Sequence, residues 1–322
     1  MKTDIDAFLN SELSAWPMAD ENFKRIRDSF TDGNRTAISA GDSAWQTTKL
    51  FVNHRRASIT AKTDAASIAA RRCFLCASNR PECQSSQRWR DYEILINPYP
   101  LALTHLTIPS ISHCPQSIIG RIPDMVALAI ELEGMCVFYN GPRCGASAPD
   151  HLHFQAVSRE AVPNFFNNAL PKEEIVNPSA HTTVDGEAKL YSCTASPFPF
   201  FIIEAQDAVK LEAIIRKIIS ALKAIRHEGE EEPMMNIAMR YDSTTGLITT
   251  FLIPRAKHRP ECYGTGDGQM LVSPATIEML GTIVCSRRDD FDRLDLGEAD
   301  RILRETGLSK DDFRKVIGMV TY

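Results

Sequence analysis

The chain has 322 residues, a formal net charge of −5 and 43% hydrophobic residues. This composition is that of an ordinary globular protein, and the acidic balance argues against a nucleic-acid coat or a protein that binds anionic membranes. No apolar run is long enough to span a bilayer, and the N-terminus lacks the apolar core of a signal peptide. We therefore expect a cytoplasmic protein with no membrane or nucleic-acid partner, whose nine cysteines are reduced thiols or metal ligands.

The first part of the chain predicts a helical layer followed by a short basic strand end. Hydrophobic spacing over residues 4–31 indicates short amphipathic helices interrupted near Pro17. A strand is predicted at 48–56, and it ends with Arg55 and Arg56. A guanidinium there would match phosphate oxygens in a bidentate manner, but a solvated strand end accounts for the same residues equally well.

Cys73-Phe-Leu-Cys76 follows a short helix predicted at 64–71. Such a pair is half of a zinc site, a redox pair or a coincidence. A proline follows almost at once, which favours a metal knuckle on a loop over a redox pair that opens a helix. Zinc takes four ligands, so two more must come from elsewhere, with Cys83, Cys114 or a histidine as candidates.

An ordered run of elements leads to the stretch that carries the chemistry. Strands at 92–100 and 103–109 form a predicted hairpin, in which His105 is expected to be structural. An amphipathic helix at 122–134 and a strand at 135–139 come next.

Residues 140–155 combine a loop rich in Gly, Ser and Ala with the pattern His151-x-His153-x-Gln155. If a strand begins at His151, the three polar side chains share one face while the residues between them point into a core. Exposed backbone amides in such a loop suit the anionic oxygens of a phosphate. A neutral imidazole is a competent nucleophile near pH 7, so the pattern predicts histidine attack on a bound phosphorus.

The second half of the chain echoes the first. Ile108-Pro-x-x-x-His113 recurs as Ile253-Pro-x-x-x-His258, each after a hairpin-like pair, which predicts a duplicated unit. The second copy lacks the His-x-His-x-Gln strand, so we expect one catalytic half and one supporting half, with His258 structural. The predicted fold is α+β, with two halves of antiparallel sheet and helices around a shared core. The boundaries are 1–170 for the catalytic half, 171–197 for a connector or covering segment, and 198–322 for the second half.

The order of hairpin, Ile-Pro…His, helix, strand, Asn-Gly…Gly-x-Ser and His-x-His-x-Gln resembles the transferase branch of the histidine-triad superfamily, from about residue 45 to the end. That branch holds galactose-1-phosphate uridylyltransferase, diadenosine tetraphosphate phosphorylases and GDP-hexose (GDP-L-galactose) phosphorylases. The His151–Ala156 motif and residues 272–291 look most like the GDP-hexose phosphorylases. Cys73-Phe-Leu-Cys76 is similar to the zinc knuckle of the uridylyltransferase. The chain also resembles a bacterial family in which both features coexist.

The resemblance implies a role for individual residues. His153 would be the nucleophile that forms a nucleotidyl-imidazole intermediate, and Gln155 would bind the phosphoryl oxygens. The substrate-binding positions implied are Arg56 and Asn97 for the phosphate and nucleotide, and Asn140, Gly145 and Ser147 for the phosphate loop. The zinc ligands implied are Cys73, Cys76, His113 and His151. The spacing from Ser147 to His153 is one residue longer than in the uridylyltransferase, so the register of the loop differs from that pattern.

The resulting expectation is a nucleotidyltransferase or phosphorylase that acts on a nucleoside diphosphate sugar, most like a GDP-hexose phosphorylase. Inorganic phosphate or a sugar phosphate would be the acceptor, and the uridylyltransferase resemblance implies a homodimer. The alternatives are a diadenosine polyphosphate phosphorylase, a hexose-1-phosphate uridylyltransferase, or a non-catalytic nucleotide-binding protein stabilised by zinc.

Overall fold

A computed structural model describes residues 4–39, 41–61, 64–175, 188–193, 195–226 and 232–321. The predicted connector falls partly outside the described residues, at 176–187 and 194. Within the described ranges the predicted α+β class is confirmed, because helices pack on antiparallel sheet. No described helix combines the length and apolar character that crossing a membrane requires.

The helices are α1 (Ile5–Ala15), α2 (Pro17–Asp28), α3 (Arg56–Ile59), α4 (Ala65–Ala69), α5 (Ile122–Glu131), α6 (Ala208–Arg226), α7 (Thr276–Met279), α8 (Arg288–Arg293), α9 (Leu296–Thr306) and α10 (Lys310–Val320). The strands are β1 (Arg35–Ala37), β2 (Thr48–Phe51), β3 (Gln87–Trp89), β4 (Tyr92–Ile96), β5 (His105–Pro109), β6 (Met135–Asn140), β7 (His153–Ser158), β8 (Glu173–Glu174), β9 (Lys189–Cys193), β10 (Phe200–Ala205), β11 (Met235–Asp242), β12 (Leu247–Pro254) and β13 (Thr282–Cys285). Pro17 begins α2, where its missing N–H has no intrahelical partner to lose.

Most of the described strands form one antiparallel sheet in the order β3-β4-β5-β7-β6-β11-β12-β10-β9-β8. Each half contributes three strands, a helix and two further strands, and the last two strands of each half are exchanged in the order along the sheet. The halves meet where β6 pairs with β11, so that Asn140 lies opposite Asn236. A separate small sheet joins β1, β2 and β13, with β13 parallel to β2.

The large sheet carries a hydrophobic layer on each face because side chains alternate along its strands. On β6, Val137 and Tyr139 join the core built on α5 and α6, whereas Cys136 and Phe138 join the core built on β2, β13 and α9. The same alternation on β7 puts Phe154 into the first layer. His153 and Gln155 of that strand therefore face the second layer.

The duplication is present, but the sequence echo used to predict it is out of register. The topology makes β5 equivalent to β10 and β7 equivalent to β12, whereas the Ile-Pro-x-x-x-His echo matched the end of β5 with the end of β12. The echo is only six residues long, and a proline at the end of a strand recurs for a local reason, because proline is tolerated there. The predicted connector was also drawn too broadly, because β9 pairs with β10 in the sheet.

Candidate active site

A cavity of about 860 Å³ lies where β7 begins, and residues from both halves line it. This volume lies within the usual range for ligand pockets. The predicted residues that line it are Asn97, Asn140, Gly145, Ser147, His153 and Gln155. The structure therefore brings together the predicted nucleophile, the glutamine and the loop.

His153 is held in one orientation at the first position of β7. Its backbone N–H donates to Gln116 Oε1 at 2.8 Å, and its ring Nδ1 donates to the carbonyl of His151 at 2.8 Å. In this tautomer the lone pair of the ring is on Nε2. His153 is one of the residues that line the cavity. Burial lowers the pKa of His153 to about 4, so the ring is neutral near pH 7.

Gln116 is a positioning residue that the sequence did not reveal. Its side-chain Nε2 donates to the carbonyls of Asn140, at 2.8 Å, and His153, at 3.1 Å. It thereby ties the end of β6 to the start of β7, the two ends between which residues 141–152 run. A buried glutamine in a loop carries no distinguishing pattern in a single sequence.

The loop at 141–152 is fixed by the second half of the chain. Gly145 has φ +96°, and a Cβ on it would lie 2.3 Å from the Cβ of Ala275. The Oδ1 atom of Asn140 accepts from the backbone N–H of Thr276 at 3.0 Å, from its hydroxyl at 2.6 Å, and from Asn236 Nδ2 at 2.9 Å. Asn140 therefore holds the loop against α7 through its side chain.

Arg255 is a second residue that the sequence reading missed. It is 1% exposed, and its Nη1 donates to Asn236 Oδ1 at 2.7 Å and to the carbonyl of Pro274 at 3.1 Å. Asn236 in turn bonds Asn140 and the carbonyl of Cys144. A buried guanidinium satisfied by carbonyl oxygens thus supports the loop from behind.

The cavity contains Arg55, whereas Arg56 is exposed and does not line it. The predicted strand at 48–56 ends at Phe51, and a helical turn, Asn53–Arg55, follows it. Arg55 Nη1 donates to the carbonyl of Tyr99 at 3.1 Å, but its buried Nε has no hydrogen-bond partner. Burial lowers the pKa of Arg55, while the charge of Glu278, another residue that lines the cavity, acts in the opposite direction. A desolvated cation of this kind suits an anionic ligand.

Cys73, Cys76, His113 and His151 form a cluster whose candidate ligand atoms all lie within 4.8 Å of one another. The Sγ of Cys73 is 3.2 Å from His151 Nδ1, and the Sγ of Cys76 is 3.3 Å from His113 Nδ1. Usual zinc bond lengths in a tetrahedral site place sulfur and nitrogen ligands about 3.5 Å apart. The residues therefore fit a tetrahedral metal ion, and neither Cys83 nor Cys114 belongs to this group in the part of the chain described.

The two histidines of the motif belong to different sites, because His153 lines the cavity and His151 belongs to the cysteine–histidine cluster. This corrects the prediction that they share one face of a strand. The strand begins at His153, so His151 lies outside it. The alternation of side chains along the strand therefore does not determine the direction of the His151 side chain. His151 Nε2 donates to the carbonyl of Ser110 at 2.7 Å, which leaves Nδ1 for the cluster. Nε2 of His113 lies 3.8 Å from an oxygen of Asp150.

The second half also lines the cavity, through residues that include His258, Arg259 and Glu278. Arg259 Nε donates to Ser273 Oγ at 3.2 Å, and its guanidinium lies 4.1 Å from the ring centroid of Tyr263. His258, which we expected to be structural, lines the same cavity as His153.

Two family profiles together match most of the chain. Residues 8–158 match "Domain of unknown function (DUF4922)", and residues 171–322 match "GDPGP1-like, C-terminal domain". Yeast Ap4A phosphorylase Apa2 has a similar structure, with a TM-score of 0.56 at 14% identity over 91% of this chain and 97% of that chain. These matches agree with the resemblance to phosphorylases of the histidine-triad superfamily that the sequence predicted.

Other similar proteins point to the same resemblance. The same yeast phosphorylase in complex with Ap4A gives a TM-score of 0.54 over 91% of this chain and 98% of that chain, at 14% identity. At this identity the likeness concerns the fold. GDP-L-galactose phosphorylase 2 of Arabidopsis thaliana is 25% identical over 236 residues, which are 70% of this chain and 50% of that relative. The chain therefore spans about half the length of the plant relative.

Proposed function

We propose that the protein is a nucleotidyltransferase of the phosphorylase type, which acts on a nucleoside diphosphate sugar through a nucleotidyl-His153 intermediate. The observation that carries the proposal is the neutral His153 ring, whose Nδ1 is committed to a backbone carbonyl while the residue lines the cavity beside the loop. That geometry leaves Nε2 as the nucleophilic atom.

The proposed reaction is a double displacement. His153 Nε2 attacks the α-phosphorus, a P–N bond forms, and the bond from that phosphorus to the bridging oxygen breaks, so that the sugar 1-phosphate leaves. An oxygen of inorganic phosphate then attacks the same phosphorus and breaks the P–N bond. The products are a nucleoside diphosphate and the neutral imidazole. Transfer of this kind depends mainly on positioning and charge neutralisation.

The cavity supplies groups suited to both tasks. Gln155 and the loop around Gly145 and Ser147 offer N–H donors, and Arg55 offers the desolvated cation. We propose Arg55, instead of Arg56, as the phosphate-binding arginine. Asn97 is the proposed nucleotide contact, as the resemblance implied.

The proposed donor is a GDP-hexose. The match of residues 171–322 to the GDPGP1-like domain and the similarity to a GDP-L-galactose phosphorylase support this choice. The likeness to a yeast Ap4A phosphorylase keeps a diadenosine polyphosphate as the second candidate donor. A homodimer stays a prediction.

We further propose that the cluster of Cys73, Cys76, His113 and His151 holds Zn²⁺ in a structural role. Two thiolates and two imidazoles are a common structural zinc set. The ion would tie the knuckle at 73–76 to the residue that precedes β7. Its chemistry would be to cross-link these segments, with no part in the transfer.

The test is a donor screen with protein incubated separately with GDP-, UDP- and ADP-sugars and diadenosine tetraphosphate, each labelled at the α-phosphorus. We expect acid-labile, base-stable label to accumulate stoichiometrically on wild type with the GDP-sugar. His153→Ala should carry no label, whereas His258→Ala should reach the same final level even if it does so more slowly. Folded wild-type protein that takes no label from any of these donors would contradict the proposal.

A further inference from the structure

His105 is a buried histidine of the cavity that the proposed transfer does not use. It is 1% exposed, lies at the start of β5, and lines the cavity. Thr107, two residues further along the strand, pairs with Gln155 of β7. His105 and Gln155 are therefore diagonal neighbours on one face, within reach of each other's side chains.

The hydrogen bonds around His105 determine where its ring proton lies. The backbone N–H of Leu101 donates to His105 Nδ1 at 3.2 Å, so Nδ1 is an acceptor. A neutral imidazole then carries its proton on Nε2. Nε2 lies 2.9 Å from Gln155 Oε1, which accepts that proton.

The tautomer in turn determines the orientation of the Gln155 amide. Because Oε1 is bound to the His105 N–H, the NH₂ group occupies the opposite side of the carboxamide plane. A flipped amide would set its N–H groups against the N–H of His105. We propose that His105 is a positioning residue, which holds Gln155 so that its NH₂ donates to the oxygens of the phosphoryl group being transferred. The inference rests on the proposed function.

Asn97 is the other polar neighbour, and its hydrogen bonds prevent it from taking over this task. Its Oδ1 accepts from the backbone N–H of Tyr99 at 2.9 Å, and its Nδ2 donates to Thr107 Oγ1 at 3.0 Å. Nδ2 is 3.5 Å from His105 Nε2, a donor facing a donor. In the described residues, His105 is thus the group that orients Gln155.

A neutral ring is needed for this arrangement, and the surroundings keep it neutral. Burial, aided by the charge of Arg55, lowers the pKa of His105 to about 3. A charged ring would also donate from Nδ1 and lose the bond from Leu101. The ring of His105 is therefore neutral near pH 7, where it holds Gln155 in this orientation.

A double-mutant cycle on His105 and Gln155 tests the inference. The variants are His105→Phe, Gln155→Ala and the double variant, and the measurement is the single-turnover rate of nucleotidyl-enzyme formation at saturating donor. Loss of one donor to developing charge typically costs about 100-fold in rate, so we expect that for Gln155→Ala. His105→Phe should cost roughly tenfold or more in the wild-type background and nothing further beside Gln155→Ala, since the group it orients is gone.

A structural role for His105 predicts a different pattern. Equal costs of His105→Phe in both backgrounds, or a loss confined to the donor concentration needed for half saturation, would overturn the inference. His105→Gln restores an N–H donor at a similar reach and should recover part of the rate. Failure of that variant to exceed His105→Phe, with both folded, would count equally against it.

A second measurement is independent of activity. Ring ¹⁵N chemical shifts in histidine-labelled protein, assigned with His105→Gln, should show the Nε2–H tautomer for His105. The Nδ1–H tautomer or a charged ring at neutral pH overturns the inference whatever the donor. Absence of label on wild type would instead reject the transfer reaction, while the shifts still decide the hydrogen bond.

Discussion

The two halves of the large sheet share their order of strands and helix, but they differ in the connection between the last two strands of each half. In the first half, residues 141–152 link β6 to β7, and this loop borders the cavity. In the second half, residues 243–246 link β11 to β12 as a tight turn. The same scaffold therefore either presents a ligand loop or closes a hairpin, depending on what joins its last two strands.

The difference teaches what a supporting half contributes. Asn236, Arg255 and Thr276 all come from the second half, and all act on the loop of the first through Asn140 or its partners. The β6–β11 pair brings these residues within hydrogen-bond distance. The second half thus has a short turn where the first half has a loop, and it contributes side chains that hold the loop of the first half in place.

The largest expected effect concerns the metal cluster, which the described part of the second half lacks. Cys73→Ser should abolish bound zinc and lower the free energy of unfolding by about 4 kcal/mol or more, as loss of a structural metal typically does. The measurements are metal analysis and denaturant unfolding. A chelator should lower the free energy of unfolding of wild type but leave that of Cys73→Ser unchanged.

Cys83→Ser is the matched control, since Cys83 is exposed and lies close to the knuckle in sequence without joining the cluster. It should keep the wild-type zinc content and stability. Equal zinc content in Cys73→Ser and wild type would contradict the proposal that Cys73 is a ligand of the metal.

The next effect separates two adjacent arginines. Arg55→Gln should slow nucleotidyl transfer by about 100- to 1,000-fold, because it removes the cavity's desolvated cation from developing phosphate charge. Arg56→Gln, an exposed neighbour, should leave the rate within about twofold of wild type, as surface changes usually do. The measurement is the rate of label formation, and a larger loss for Arg56→Gln than for Arg55→Gln would favour Arg56, the arginine that the family resemblance implied.

Local pattern predicted the elements that lie near the site. Pro17, the run from 92 to 109 and the helix at 122–134 carry clear helix or hairpin signals, and each was found within a few residues. Cys73, Cys76 and His153 followed from sequence motifs, whereas His113 and His151 entered the predicted cluster through the family resemblance, and the structure brings the four cluster residues together. The roles of the cluster and of His153 stay proposals.

Features that depend on contacts between distant parts of the chain could not be predicted from the sequence. Whether Arg55 or Arg56 enters the cavity depends on where β2 ends and a helical turn begins, a choice made by packing. Arg255 and Gln116 act through hydrogen bonds to carbonyl oxygens that are distant in the sequence. No local sequence pattern predicts such contacts. β9 was not predicted because it lies in a polar, proline-containing part of the chain, and its pairing with β10 has no local sequence signal.

The smallest effect compares one glycine from each connection. Gly145 has φ +96° and no room for a Cβ, since Ala275 would lie 2.3 Å away, whereas Gly246 has φ +68° and open space. Gly145→Ala should cost about 2–3 kcal/mol of unfolding free energy from strain and overpacking, and Gly246→Ala about 1 kcal/mol from backbone strain alone. Gly145→Ala should also slow nucleotidyl transfer, because moving Ala275 disturbs the segment that holds Asn140, while Gly246→Ala should not. Denaturant unfolding and label-formation rates measure both, and equal costs at the two positions would mean that the loop of the first half is no more tightly held than the turn of the second.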